Sequence, residues 1–370
     1  MRRPSRERVL RILRREGDGE VAYDALGGMD ATLAAAQLSD EWRGYFRRGE
    51  VRYVSLEPPN GDRATFGEYV PGLPPEAELS CWGVGRVALR SVEGHHAGHK
   101  YWHPLAGIGT VEGLERYPFA DLSTVKALDA LREEVQAAQG DGFAAIGQMS
   151  QTILETAYLM RGIDRLMADF YERPGYVDCL FAKLSEQRIV QARMLAQAGV
   201  DAIRIGDDIA TQAGLMVSPA MYRTRIKPHH AAAIAAAREV VPDLPVSYHS
   251  DGRLTALLPD LIDIGVTAIN PVQPECMDLL EIRREFGAHL TLWGCTPVQS
   301  IYAHGSPDEV RAHTRFLFGE VAPRSGLIVQ FMNIILTPVV LTNLVAFFEE
   351  FASLGTDPEP AVRVDVSARR

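Results

Sequence analysis

Six short stretches gather the side chains able to move a proton or grip a small molecule. VSYHSDGRL (246–254) ends an apolar run on His249 and Asp251, and IRIGDD (203–208) ends on Asp207 and Asp208. AINPVQ (268–273) carries Asn270 and Gln273, and TLWGC (291–295) carries Trp293 and Cys295. FAAIGQMS (143–150) supplies Gln148 with Met149, and LIVQFMN (327–333) supplies Gln330 and Asn333. A histidine beside carboxylates is equipped for general acid–base work near neutral pH. His249 and Asp251 are also chemically acceptable zinc ligands, with Cys295 available as a third, although their spacing follows no established ligand signature. The plainer reading of this stretch has Ser250 or Asp251 capping the next helix, which accounts for Asp251 and leaves His249 unexplained. The expected catalytic group is His249, Asp251 and Asp208. Asp207, Gln148, Gln273, Trp293, Cys295 and Asn333 are expected to line the substrate, and His249 with Asp251 is the metal candidate. Because side chains alternate along a strand, Asp207 and Asp208 should diverge, one facing the site and the other capping or pairing elsewhere.

What places these residues together is the rhythm of the chain. From residue 142 onward, strand-like runs alternate with helical ones: 143–150, the strand within 200–208, PVSYH, VTAIN, HLTLWGC and GLIVQFMN. Each is followed by a helix or helix pair, as in TILETAYLMRGIDRLMADFYER and Pro338–Leu354. Two further strands are available in VAYDAL (21–26) and VRYVSLE (51–57). Repeated strand–helix units in this number predict an α/β fold, a single (β/α)8 TIM barrel, whose ligands sit at the carboxyl ends of the strands. The Gly-, Pro-, Trp- and His-rich stretch 58–125 breaks the rhythm and reads as an excursion with a β-hairpin. Its aromatics Trp82, Tyr101 and Trp102 are expected to pack it. Residues 1–355 are read as the barrel domain and 356–370 as a flexible tail.

With 370 residues the chain can bury a large core. Its net charge of −10 argues against nucleic acid or an anionic membrane as the main partner. The basic opening RRPSRERVLRILRREG reads as an amphipathic, solvated terminal helix. No apolar h-region follows these arginines, so no signal peptide is expected, and no apolar run is long enough for a transmembrane helix to be expected. Cys81, Cys179, Cys276 and Cys295 are scattered without CxxC spacing, which fits reduced thiols in a cytoplasmic protein. A homodimer is left open.

The blocks GDDIATQAGLMVSPAMYRTRIKP, HSDGRLTALLPDLIDIGVTAINPVQ and GSPDEV followed by PVVLTNLVAFFE resemble the uroporphyrinogen decarboxylase superfamily, from Gln148 to Phe351. The opening RERVLRIL is similar as well. The resemblance implies one (β/α)8 barrel and either of two chemistries: porphyrinogen decarboxylation, or methyl transfer among small methylated compounds, thiols and corrinoid proteins. True porphyrinogen decarboxylases carry an arginine motif of the form RPxWxMRQAGRY where this chain has VAYDALGGMDATLAA, and a late histidine where it has Asn333. The strand ends noted above are neutral or acidic, whereas a substrate with eight carboxylates needs several cations. The thiol and corrinoid methyltransferases hold zinc with a His-x-Cys pair and a later Cys. Here those positions match His249, Asp251 and the neighbourhood of Asn333, so one ligand of three is kept.

The GDD and HSDG blocks are most similar to members that include corrinoid-linked O-demethylases. The resemblance therefore implies a methyltransferase acting on a small methoxylated substrate, with a corrinoid or thiol as acceptor. No Asp-x-His-x-x-Gly corrinoid motif is present, so a corrinoid would arrive on a separate partner protein. The alternatives are a carboxy-lyase acting on a small carboxylated substrate or porphyrinogen, and a barrel that binds a small ligand without catalysis.

Overall fold

A computed structural model describes residues 5–24, 49–57, 60–90, 96–331 and 338–355. Its centre is an eight-stranded parallel sheet built from β1 (Val21–Asp24), β2 (Val51–Ser55), β3 (Ala144–Ser150), β4 (Ala202–Gly206), β5 (Val246–His249), β6 (Ala268–Val272), β7 (Thr291–Gly294) and β8 (Leu327–Gln330). The strands follow one another in chain order around the sheet, and β1 returns to pair with β8 through Asp24 opposite Gln330. Between β1 and β2 the ring is bridged by Glu50, whose backbone N–H donates to the Tyr23 carbonyl at 2.7 Å. This is the expected (β/α)8 barrel. Both strands sought in 21–26 and 51–57 are present.

Helices α1 (Arg6–Leu13) and α2 (Leu128–Gly140) precede β1 and β3 respectively. The others follow their strands: α3 (Leu154–Arg161), α4 (Ile163–Glu172) and α5 (Pro174–Ala198) after β3, then α6 (Lys227–Arg238) after β4. The second half adds α7 (Leu258–Asp263), α8 (Leu279–Phe286), α9 (Pro307–Phe316) and α10 (Pro338–Leu354) after β5 to β8. The helical run 152–173 is two helices parted at Gly162, where φ of +91° suits glycine. Ser306 and Glu309 form the capping box that opens α9.

The excursion between β2 and β3 holds an antiparallel sheet of Glu78–Leu79, Gly85–Arg90 and His96–Trp102. Trp82 is buried beneath the Arg188 guanidinium, 4.8 Å from its ring centroid. Arg188, on α5, is itself fully buried and donates to Glu57, Gln191, Thr156 and the Thr152 and Gln151 carbonyls. One saturated cation thus binds the excursion to the barrel wall.

Helix α1 corrects an expectation. It is not a solvated terminal helix: Val9, Ile12 and Leu13 join Ala22, Val51, Ala144, Ile146, Ala202, Ala268, Trp293 and Ile328 in one buried apolar cluster. These strand residues alternate with outward-facing ones, so the cluster fills the barrel interior and α1 plugs its amino-terminal end. Two ion pairs fix the plug, Arg8 to Glu50 and Arg6 to Asp201, each with at least one buried partner. Tail residues 356–370 lie outside the described part. No described helix is long and apolar enough to cross a membrane, and all four cysteines are free.

Candidate active site

Above the apolar layer, the next inward residues of the strands are polar, and they join into a closed ring. Asp24 accepts from the Tyr53 hydroxyl at 2.6 Å, from Trp293 Nε1 at 3.0 Å and from Gln330 Nε2 at 2.5 Å. The Tyr53 hydroxyl accepts from Arg204 at 2.9 Å, and a second Arg204 nitrogen lies 2.7 Å from His249 Nδ1. His249 Nδ1 is 2.9 Å from Asn270 Oδ1, and Asn270 Nδ2 donates to Gln330 Oε1 at 2.7 Å. The ring runs Asp24, Tyr53, Arg204, His249, Asn270, Gln330 and back to Asp24. Its members come from β1, β2, β4, β5, β6 and β8, so side chains far apart in the chain share one buried network.

His249 is the ring's outlet toward the cleft. Its Nε2 stands 3.7 Å from Asp208 Oδ1, with Asp208 about one-third exposed at 36%. Burial and the adjacent Arg204 charge hold the imidazole well below its usual range, at about 4, so it is neutral near pH 7. Asp208 accepts the Asp251 backbone N–H at 3.0 Å and gives its own N–H to Glu155 Oε2 at 3.2 Å. Glu155, on the first turn of α3, also accepts from Gln151 Nε2 at 3.0 Å. Burial, then the charges of Asp208 and Asp207, push Glu155 up to about 8, so it keeps its proton at neutral pH. A protonated carboxyl and a neutral imidazole therefore flank Asp208.

The two neighbouring aspartates part as strand alternation requires. Asp208 faces the cleft. Asp207 is fully buried and caps α3 across space, accepting from the backbone N–H groups of Ile153, Leu154 and Glu155 at 2.9–3.0 Å. His230 Nε2 completes its shell at 2.8 Å. Burial would raise Asp207, but the His230 bond and charge and the backbone donors outweigh it and leave the carboxyl below its ordinary range. Asp207 is therefore not a substrate-lining residue.

Other expected positions also shift. Trp293 fills the barrel interior beneath the ring and does not line the cleft, because it belongs to the inward-facing alternation of β7. Cys295 lies past the end of β7 with a left-handed φ of +62° and turns back into the outer core. Burial pushes its thiol up to about 12, and the Arg283 charge of α8 only partly offsets this. Gln273 is buried and clamps the turn after β5, accepting the Gly252 N–H at 2.6 Å. Gln148 points inward on β3, in register between Ser55 and Arg204. Asp251 contributes its backbone N–H to Asp208. Asn333 lies outside the described residues.

The expectation that the strand ends are neutral or acidic is corrected by Arg204, an inward cation with 3% exposure. Asp24, Tyr53, Arg204 and Glu155 escaped the reading of the strand ends. Arg204 had a signal: a charged residue between Ile203 and Ile205 must be buried in a strand packed on both faces. Glu155 carries no comparable signal, because an acidic residue in a first helical turn is ordinary.

Zinc does not fit this donor set. Among the described residues no three His, Cys, Asp or Glu side chains converge on a point that could hold a metal ion. His249 and Asp208 offer at most two ligands, and the Arg204 guanidinium beside the same imidazole opposes a second cation.

Beside the mouth, a cavity of about 150 Å³ opens between the excursion and α3, lined among others by Glu57, Trp82, Tyr101, Gln151 and Thr156. Gln151 links it to Glu155.

The model of the family described as uroporphyrinogen decarboxylase (URO-D) matches residues 103–353. No curated protein sequence matches the chain. Among solved structures, one described as a methyltransferase from Methanosarcina mazei is similar over 95% of this chain and 100% of that one. Its TM-score is 0.59 and its identity 15%, so that likeness carries the fold alone.

Proposed function

The chain belongs to the uroporphyrinogen decarboxylase family, and from that premise we propose that this barrel enzyme transfers a methyl group from a small methoxylated substrate. The observation that carries the reading is the placement of Glu155, whose Oε2 accepts the Asp208 N–H at 3.2 Å beside the His249–Asp208 pair, where burial and the aspartate charges push its carboxyl up to about 8. An ether oxygen is a poor leaving group unless a proton reaches it as its methyl departs. A reduced corrinoid on a partner protein, or a thiol, would supply the electron pair that takes the methyl. As the carbon–oxygen bond breaks, its electrons stay on oxygen, and the Glu155 proton passes to that oxygen. Asp208 and Asp207 disfavour the resulting Glu155 anion, which drives reprotonation from solvent. His249 offers Nε2 to the same oxygen, with Asp208 and Asp251 shaping the mouth around it. The fold likeness to a protein described as a methyltransferase agrees with this reading but adds nothing at residue level.

The test is methyl release from a panel of methoxylated aromatic and aliphatic compounds, with a reduced corrinoid or a thiol as acceptor and carbon dioxide measured in parallel. Glu155→Gln and His249→Ala should each lower methyl release at least ~100-fold. His249→Ala should also cost roughly 1–3 kcal/mol of stability, because it strips a buried Arg204 N–H of its partner. Carbon dioxide release from carboxylated substrates without methyl transfer would replace this reading with decarboxylation. Tight ligand binding with neither product would make the barrel a binding protein.

A further inference from the structure

We propose that Arg204, anchored through Tyr53 to Asp24, fixes His249 in the tautomer with its proton on Nε2, so that the ring donates a hydrogen bond into the cleft. The inference rests on the reading above for its catalytic meaning, and on the ring alone for its physical content.

The ring makes two opposite demands on one atom. A carboxylate only accepts, so Asp24 obliges Gln330 to present Nε2 to it, at 2.5 Å. Gln330 Oε1 then faces Asn270, whose Nδ2 donates to it, and Asn270 is left to present Oδ1 to His249 Nδ1 at 2.9 Å. This arm asks for a proton on Nδ1. Travelling the other way, Asp24 takes the Tyr53 proton, Tyr53 oxygen accepts from Arg204, and Arg204 directs a second N–H at Nδ1 from 2.7 Å. A guanidinium cannot accept, so this arm asks for a lone pair on Nδ1. An imidazolium cannot satisfy both arms, because its Nδ1–H would point at the guanidinium.

Arg204 prevails on three counts. Its bond is charge-assisted and the shorter of the two. It is 3% exposed and its Nε has no acceptor among the described residues, so losing His249 would leave the buried cation with Tyr53 as its one hydrogen-bond partner in the ring. Asn270, by contrast, gives up one neutral bond at a carbonyl oxygen, the kind of group most often left under-satisfied. The proton is therefore on Nε2, which faces Asp208 Oδ1 at 3.7 Å. Arg204 is a positioning residue here. It acts through the imidazole and touches no substrate.

Long-range proton–nitrogen NMR spectra of histidine-labelled protein, with His249 assigned by a His249→Gln variant, read the tautomer directly and need no substrate. Near neutral pH, His249 should show an unprotonated Nδ1 and a protonated Nε2. Arg204→Met should move most of the proton to Nδ1, where Asn270 receives it, while Arg204→Lys should keep it on Nε2. A wild-type spectrum with the proton on Nδ1, or an unchanged tautomer in Arg204→Met, overturns the proposal. If Arg204→Met does not fold, Tyr53→Phe replaces it. That variant should raise the Nδ1–H fraction several-fold, and no change there would equally overturn the proposal. The predicted tautomer without methyl release would defeat only the reading of the reaction.

Discussion

Glu155 and His249 give the site opposite proton linkages. Burial and the charges of Asp208 and Asp207 push Glu155 up to about 8 in the folded protein, against about 4.3 unfolded, so the fold binds the extra proton between those values. Its contribution to stability is full at low pH and is lost as pH rises toward 8. His249 is depressed to about 4, and burial depresses His313 likewise to about 4, against an unfolded value near 6.5. For these two groups the unfolded chain binds the extra proton, so stability grows as pH rises from about 4 to 6.5. Thermal melts across pH should peak near about 6.5 and fall toward 8. In Glu155→Gln the alkaline decline should disappear. A wild-type melting temperature that is flat or rising from 6.5 to 8 would show that Glu155 ionises normally.

At the scale of elements, the end of β4 meets the end of β5 too closely for a side chain at Gly206. A Cβ on Gly206 would stand 2.1 Å from the His249 carbonyl oxygen and 2.6 Å from its nitrogen. Glycine there lets the strand end bring Arg204 and His249 into bonding distance. Gly206→Ala should force the two strands apart, lower activity at least ~10-fold by misplacing His249, and cost roughly 1–3 kcal/mol. Urea melts and the NMR signal of His249 check both halves. Retention of the native His249 signal would show that the strands can relax elsewhere. Helix α3 depends on a similar arrangement at a distance: its first turn is held by Asp207 from β4's end, which also sets where Glu155 stands.

For the whole molecule, the barrel has two functional ends of different polarity. The lower end is apolar and closed by α1; the upper end is polar and carries the ring. Ile12 is fully buried in the lower cluster. Ile12→Ala should therefore lower stability by about 2–5 kcal/mol through transfer and cavity terms. Denaturant unfolding measures this, and a loss under ~0.5 kcal/mol would place α1 on the surface, as its sequence alone suggests. Trp293 couples the two ends, filling the apolar layer while its Nε1 supports Asp24.

The sequence by itself determined the barrel. Periodicity of two and of three to four residues is a local property, and strands alternating with helices leave few other architectures. It also set His249 and Asp208 at strand ends, and it required Asp207 and Asp208 to diverge. Which of the two faces the cleft was left open by the sequence, because alternation gives opposite sides without naming them; the closure of the barrel and the amino terminus of α3 decided it. Trp293 and Cys295 were misplaced for a related reason: a strand's last residues can continue inward or fold back, and backbone turns such as φ of +62° at Cys295 are settled by packing. The polar ring was beyond reach because Asp24, Tyr53 and Arg204 lie far apart in the chain; Arg204 alone carries a local signal of burial, and nothing local says which residues meet it. A hydrogen-bond network of this kind exists only when six strands have closed around it, and burial then fixes which of its members donate and which accept.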